Sequence, residues 1–221
     1  MKLYVLRTTK TTILGSYFND KMLYSENLVA QAQQGDKQAF NQLANAWYPR
    51  IYNFAYKYFA DEELAMEVTQ KTFISVYQHF ESLQDTEKFK PWIYRIAHNM
   101  CHNEHKKTKK TAFLGLFKTN KENDDEMEYL PISDEQNRSN PSNYVENIEN
   151  TALLEKALAK INPDQKAVVI MKEYEGLKFS EIAEILQISE STAKARLYYG
   201  LDALRKVFEG WNLSKEQMLY S

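Results

Sequence analysis

The chain has a single cysteine, Cys101, among its 221 residues. One thiol excludes an internal disulfide framework and any zinc ribbon, and it fits a reducing compartment. No apolar run approaches the roughly 20 residues of a membrane-spanning helix, so no membrane insertion is expected. Residues 1–21 carry Lys2, Arg7, Lys10 and Lys21 but lack the apolar core of a secretory signal, and they read as a loose extension. Met22 opens the first well-patterned segment and is a candidate start. Glycine (6) and proline (5) are scarce, which argues against a turn-rich β protein and for an all-α one. A glycine-rich phosphate loop, a nucleophile motif and a metal-binding carboxylate cluster are also missing. The residues therefore point to no enzyme and no cofactor.

An excess of one charge is missing too. Lys plus Arg number 28 against 30 Asp plus Glu, a formal net charge of −2. As a sum this speaks against a nucleic-acid partner. The order of the charges does not. From Lys88 to Lys118 eight basic residues face one acidic residue, Glu104, a net of +7. From Lys121 to Asn150 two basic residues face nine acidic ones, a net of −7. A solvated face beside a soluble linker would have this pattern. So would a phosphate-contacting helix followed by an anionic strand.

What is present is helical periodicity in two blocks. From Glu26 to Lys107 apolar residues recur at helical spacing: Leu28 and Ala32, then Ala39, Phe40, Leu43, Ala44 and Trp47, then Ile51, Phe54, Ala55 and Tyr58 beyond Pro49. Gly35-Asp36 separates the first two helices, with Asp36 a candidate N-cap. Asp61 caps the helix that carries Leu64, Ala65, Val68, Thr69, Thr72, Phe73 and Val76. A loop over Ser82–Glu87 precedes a helix from about Phe89 to His105. Residues 108–150 lose the pattern and read as a linker, mostly disordered in isolation. Residues 151–210 are helical again. Asn162-Pro163 turns the chain into a new helix, and Gly176 ends it.

The stretch Ser180–Leu197 is the most informative. Ser180 and Ser189 both suit N-caps, and Ile182, Ala183, Leu186, Ile188, Ala193 and Leu197 point inward. A short turn at Gln187-Ile188 sets a steep crossing, which is the spacing of a helix-turn-helix. The second helix presents Ser191, Thr192, Lys194, Arg196 and Tyr198. Lys194 and Arg196 suit guanine edges or phosphates, and Ser191 and Thr192 suit phosphates near the helix N-terminus. A bland helical hairpin with a charged face would share the pattern. His98, Cys101, His102 and His105 fall on one helix face and are zinc-ligand types. One straight helix rarely wraps four ligands around a tetrahedral ion, so no metal is expected and Cys101 reads as a small core residue.

Together the two blocks resemble the sigma-70 family of bacterial RNA polymerase initiation factors, in its small extracytoplasmic-function subgroup. The first block carries the resemblance through Glu26–Phe40, Tyr48–Tyr52, Ala65–Phe73 and Phe89–Asn99. The second carries it through Ile161–Gln165, Glu175–Leu186 and Ser191–Leu197. About two thirds of the chain is covered, in the family's order. The resemblance implies an all-α protein of two small helical domains joined by a flexible acidic linker. Region 2 would span 22–107, the linker 108–150, region 4 with its helix-turn-helix 151–210, and a tail 211–221.

It implies a cytoplasmic, non-catalytic factor that directs core polymerase to promoters through −10 and −35 elements, held in check by an anti-sigma factor. Asp61, Glu67, Val68, Thr69, Gln70 and Phe73 would dock on the β′ clamp helices, and the first helices of region 4 on the β flap. Asp61, Glu62 and Glu63 also suit a plain helix N-terminus. Trp92, Tyr94, Arg95, His98, Asn99, Lys106 and Lys107 would melt and read the −10 strand by stacking and cationic contacts; Trp92 equally suits the core. The helix carrying Ser191 to Tyr198 would read the −35 major groove. The acidic run Asp124–Glu128 would mimic nascent RNA. Two departures stand out: Lys71 where the family more often has an acidic residue, and Tyr199-Gly200 in place of a more basic pair. The alternative is a helix-turn-helix regulator acting without core polymerase. It would not need the Ala65–Phe73 and Phe89–Asn99 segments.

Overall fold

The computed structural model describes residues 26–118 and 152–211, with side chains placed over 27–108 and 152–211. The N-terminal extension, the acidic run at Asp124–Glu128 and the tail beyond Trp211 lie outside the described residues. Every regular element among the described residues is helical.

Helix α1 spans Glu26–Gln33 and α2 spans Lys37–Phe59. Asp36 caps α2 as expected, its carboxylate accepting from the backbone of Gln38 at 2.8 Å and Ala39 at 3.2 Å. The helix continues through Pro49, and its buried stripe of Leu43, Trp47, Ile51, Phe54 and Tyr58 is unbroken there. Tertiary packing of that stripe outweighs the lost hydrogen bond. Helix α3 spans Glu62–His79, and Asp61 caps it by accepting from the Leu64 amide at 2.9 Å. Two short 3₁₀ turns, Phe80–Ser82 and Thr86–Lys88, bracket the expected loop. Helix α4 then runs over Phe89–Lys118, past the expected end near His105. The added segment, 106–118, contains no proline, and the helix passes through its one glycine, Gly115.

In the second half, residues 152–160 form α5. Asn162 caps α6, Pro163–Val169, by accepting from the Asp164 amide at 2.9 Å, with Pro163 in the first turn. A π-helical turn, Ile170–Tyr174, extends it. Gly176, at φ +64°, closes it with the Leu177 amide bonded to the Met171 carbonyl at 3.0 Å. Helix α7 is Phe179–Leu186 and α8 is Glu190–Gly210. Ser189 caps α8 as expected, accepting from the Thr192 amide at 3.0 Å. Ser180 does not cap α7. That helix starts at Phe179, and the Glu181 carboxylate takes the Lys178 amide at 2.6 Å, which moves the start ahead of the serine. Gln187 turns the chain in the left-handed region, φ +54°.

Helix α2 lies against α1, α3 and α4, while α6 and α7 pack on α8. The two halves are not separate. Helix α7 lies on α4, and α6 with its π turn meets α2. One apolar cluster runs from Val29 through Trp47 and Tyr94 into Val168, Met171, Ile182 and Ala193. A second joins α5 to Val169, Leu204 and Phe208.

Candidate nucleic-acid interface

Helix α4 carries the side chains expected to read single-stranded DNA. Its buried face is aromatic: Phe89 and Tyr94 meet the Trp47 ring edge-on at 5.4 and 6.0 Å. Tyr94 is fully buried, and its hydroxyl donates to the Glu175 carboxylate in the second half. The expected DNA contact at Tyr94 is therefore corrected: its helical phase puts the ring among Trp47 and Phe54, beyond the reach of a strand. Trp92 is half-buried against Phe80 at 5.8 Å and Phe89 at 6.0 Å. It serves the core while keeping one edge outward.

Asn99, Lys106 and Lys107 are exposed, and Lys107 pairs with Glu104 at 3.2 Å. Arg95 does not face solvent alone: its guanidinium donates to the Glu184 carbonyl of α7 at 3.2 Å and lies 3.5 Å from the Glu184 carboxylate. His98 is half-buried, its ring stacked on His102 at 5.9 Å, and its Nδ1 has no hydrogen-bond partner among the described residues. Burial above all, with His102 beside it, pushes His98 down to about 4. The described residues contain no cluster of three or more metal-ligand side chains. Cys101 is fully buried in the core, and burial pushes its thiol up.

The expected reading face of α8 is partly as drawn. Ser191, Thr192, Lys194 and Tyr198 are exposed. Ser191 and Thr192 share hydrogen bonds with the Ser189 hydroxyl at 2.8 Å each, so the capping serine also orients them. Lys194 lies over the Phe179 ring at 5.6 Å. Arg196 is half-buried and pairs with Asp164 of α6 at 3.0 Å. Tyr199, which the pattern left out, is exposed beside Tyr198 with ring centroids 5.7 Å apart. The only signal for it was a second aromatic at a position one residue off the expected face.

Helix α3 likewise divides the expected polymerase contacts. Val68 and Thr69 are fully buried, and the Thr69 hydroxyl donates to the Ala65 carbonyl at 2.6 Å. Both side chains face the core of this structure. The Asp61 carboxylate is engaged as a cap. Glu67 and Gln70 are exposed, and Phe73 stacks on Tyr48 at 5.9 Å. Met66, Ile74 and Tyr77 were missed; they are 46%, 57% and 59% exposed and give α3 a second, outward apolar stripe. Lys71, the departure from the family pattern, binds Glu67 and also Glu104 of α4, the latter at 3.2 Å. It draws one acidic candidate into an internal pair.

The chain matches the family model for Sigma-70 region 2 over residues 43–111 and that for Sigma-70 region 4 over residues 151–204. It is similar to the ECF RNA polymerase sigma factor SigW of Bacillus subtilis, 27% identical over 178 residues, covering 80% of this chain and 93% of that protein. It is 27% identical over 179 residues to the ECF RNA polymerase sigma-E factor of Haemophilus influenzae, covering 80% and 92%. Among solved structures, CnrH in complex with the cytosolic domain of CnrY matches with a TM-score of 0.58 at 18% identity, covering 84% of this chain and 97% of that one. The sigma factor RpoE of Bartonella quintana, in complex with the anti-sigma factor NepR, matches with a TM-score of 0.60 at 18% identity, covering 77% and 96%. At that identity the two structures establish the fold.

Proposed function

The chain belongs to the sigma-70 family of RNA polymerase sigma factors, in the extracytoplasmic-function subgroup, and from this we propose how its own residues divide the work of promoter recognition. The observation that carries the reading is the ordered pair: a four-helix unit holding the family's region 2 segment, followed by a helix-turn-helix holding its region 4 segment. A regulator acting without polymerase would not need the first unit. We place region 2 at 22–107, the linker at 108–150 and region 4 at 151–210.

Asn99, Arg95 and His98 read the −10 strand, Trp92 supplies an aromatic edge, and Lys106 and Lys107 hold the backbone. Tyr94 acts through packing. In region 4, Ser191 and Thr192 hold phosphates, Lys194 and Tyr198 face the −35 groove, and Arg196 braces α8 against α6. On α3, Glu67, Gln70 and Phe73 meet the β′ clamp helices, with Ile74 and Tyr77 adding apolar surface. The apolar helices of region 4 meet the β flap. An anti-sigma factor is the expected regulator, since the related RpoE is captured with one. We read the protein as cytoplasmic and non-catalytic; no described helix is long and apolar enough to cross a membrane.

Run-off transcription with core polymerase tests the whole reading: this chain confers initiation at new start sites, and failure to bind core enzyme rejects it. Lys194→Ala weakens −35 binding by about 1–3 kcal/mol if the side chain reaches a base edge. Asn99→Ala leaves core binding intact and lowers open-complex formation, measured by permanganate footprinting; normal melting removes Asn99 from the reading set.

A further inference from the structure

Six large apolar side chains stand exposed among the described residues. Four of them, Tyr48, Met66, Ile74 and Tyr77, lie on α2 and α3. The other two are neighbours on α8: Tyr198 and Tyr199 are 70% and 58% exposed, with ring centroids 5.7 Å apart. Single rings scattered over a surface are ordinary. Two in contact, on the second helix of a helix-turn-helix, form a patch that suits a partner.

Their direction is fixed. At about 100° per residue, Ser191, Ala195, Tyr198 and Tyr199 share the side of α8 opposite Ala193, Gly200 and Leu204, which are buried. Gly200 lies against Val169 and Gln165 of α6 with no room for a Cβ, and Arg196 pairs with Asp164 on the flank at 3.0 Å. These contacts hold the roll of α8 about its axis. About two turns on, the rings continue the face that begins with the hydroxyls of Ser191 and Thr192.

Charge on this helix is already matched. Each of its four cations stands beside a carboxylate. Lys194 is 3.9 Å from Glu190, Arg196 3.0 Å from Asp164, Arg205 2.7 Å and Lys206 2.9 Å from Asp202. With Glu190, Asp202 and Glu209 the helix has a net charge of +1, against +7 over Lys88–Lys118. A cation of α8 that turned to a phosphate would leave its carboxylate facing the DNA, a like-charge contact that costs affinity.

The rings match a different target. On the base edges of the major groove the thymine C5-methyl is the one apolar group. Ala195 and the two tyrosine rings present apolar surface to it, and the tyrosine hydroxyls are neutral donors for phosphate oxygens. A tyrosine has two χ angles, so its ring is placed at small entropic cost.

We propose that Tyr198 and Tyr199 are specificity-determining residues of α8: their rings pack on thymine methyls of the −35 element, so region 4 binds by contact while phosphate attraction belongs to α4. The assignment rests on the sigma-factor reading and adds Tyr199 to it. It requires thymine on at least one strand beneath the rings.

The test uses the full chain with core polymerase on a promoter fragment whose start site has been mapped by run-off transcription. Thymines of the −35 element, on both strands, are replaced by uracil, which removes the methyls and leaves base pairing and the protein untouched. The parent holoenzyme is expected to lose about fourfold in affinity per methyl contacted, the worth of one buried carbon. The double variant Tyr198→Ala, Tyr199→Ala binds more weakly and no longer tells thymine from uracil; Tyr199→Phe still does. Tyr199→Arg steepens the fall of log affinity with log salt by about 0.9, the mark of one added phosphate contact. Lys206→Ala leaves that slope as it was.

An element without thymine on either strand, equal binding of the parent to both fragments, or a uracil loss that persists in the double variant overturns the proposal. So does a slope that Lys206→Ala flattens as much as Tyr199→Arg steepens it. The substituted side chains are all exposed, and helical circular dichroism checks each fold. If the double variant unfolds, the parent and Tyr199→Phe on the two fragments decide. Absence of initiation with core polymerase rejects the sigma-factor reading. Initiation with binding blind to uracil rejects only the role of the rings.

Discussion

Gly200 shows how much one side chain can change meaning between sequence and structure. By helix propensity it is a weakness in α8, about 0.8–1.0 kcal/mol worse than alanine. In place, a Cβ there would lie 2.8 Å from the Val169 Cγ2 and 3.3 Å from the Gln165 Cβ. The glycine lets α8 approach α6. Gly200→Ala gains helix propensity but overpacks a β-branched neighbour, at about 1–3 kcal/mol. The expected result is a net loss, seen as a melting temperature lower by about 2–4 °C per kcal/mol for a chain of this size. A rise would mean that Val169 moves aside freely.

His98 makes a second prediction at the same scale. Facing it are His102, Asn99, Asp164 and Arg196, and burial is the largest influence on it. Its folded pKa, about 4, lies below the ordinary value near 6.5. The unfolded chain therefore binds the extra proton first. Stability from this site is present above about pH 6.5 and is lost as pH falls toward 4, on the order of 2–3 kcal/mol. Calorimetry across that window should show a falling melting temperature, and His98→Asn should flatten the fall.

At the scale of elements, α3 is a helix with two apolar faces. Ala65, Val68, Thr69, Thr72 and Val76 are buried, while Met66, Ile74 and Tyr77 look outward. An outward stripe of large apolar residues beside acidic ones suits a protein partner. Ile74→Glu and Tyr77→Glu should each weaken core-polymerase binding by at least about tenfold, the scale of a moderate interface hot spot, with helical content unchanged. Unchanged affinity in a competition assay would remove this face from the polymerase contact. The helix-turn-helix was legible because its signals are local: Ser189 caps α8, and Ala183 and Ala193 are small and buried where the helices meet. Ser189→Ala should cost about 1 kcal/mol of stability and release Ser191 and Thr192 from the hydroxyl that orients them. The end of α4 was not legible, because a lysine-rich segment whose single glycine, Gly115, does not stop the helix reads equally as helix or linker.

For the whole molecule, the shared apolar cluster makes the two halves one cooperative body. The described residues of both halves contribute to it, from Trp47 and Tyr94 to Met171 and Ile182. A single calorimetric unfolding transition is expected; two separated transitions would show that the seam contributes little. Local pattern in the chain was enough for the helix positions, the caps at Asp36, Asp61 and Ser189, the helix-turn-helix and the segregation of basic from acidic charge. Those follow from a 3.6-residue period and from capping chemistry that acts over a few residues. Packing between distant elements settled which further side chains are covered. It put Tyr94, Val68 and Thr69 inside, spent Arg196 on Asp164, buried Lys166 against a carbonyl in the other half and set Glu184 on Arg95. Periodicity fixes a side chain's direction about its own helix axis. It carries no information about which distant helix will arrive on that side.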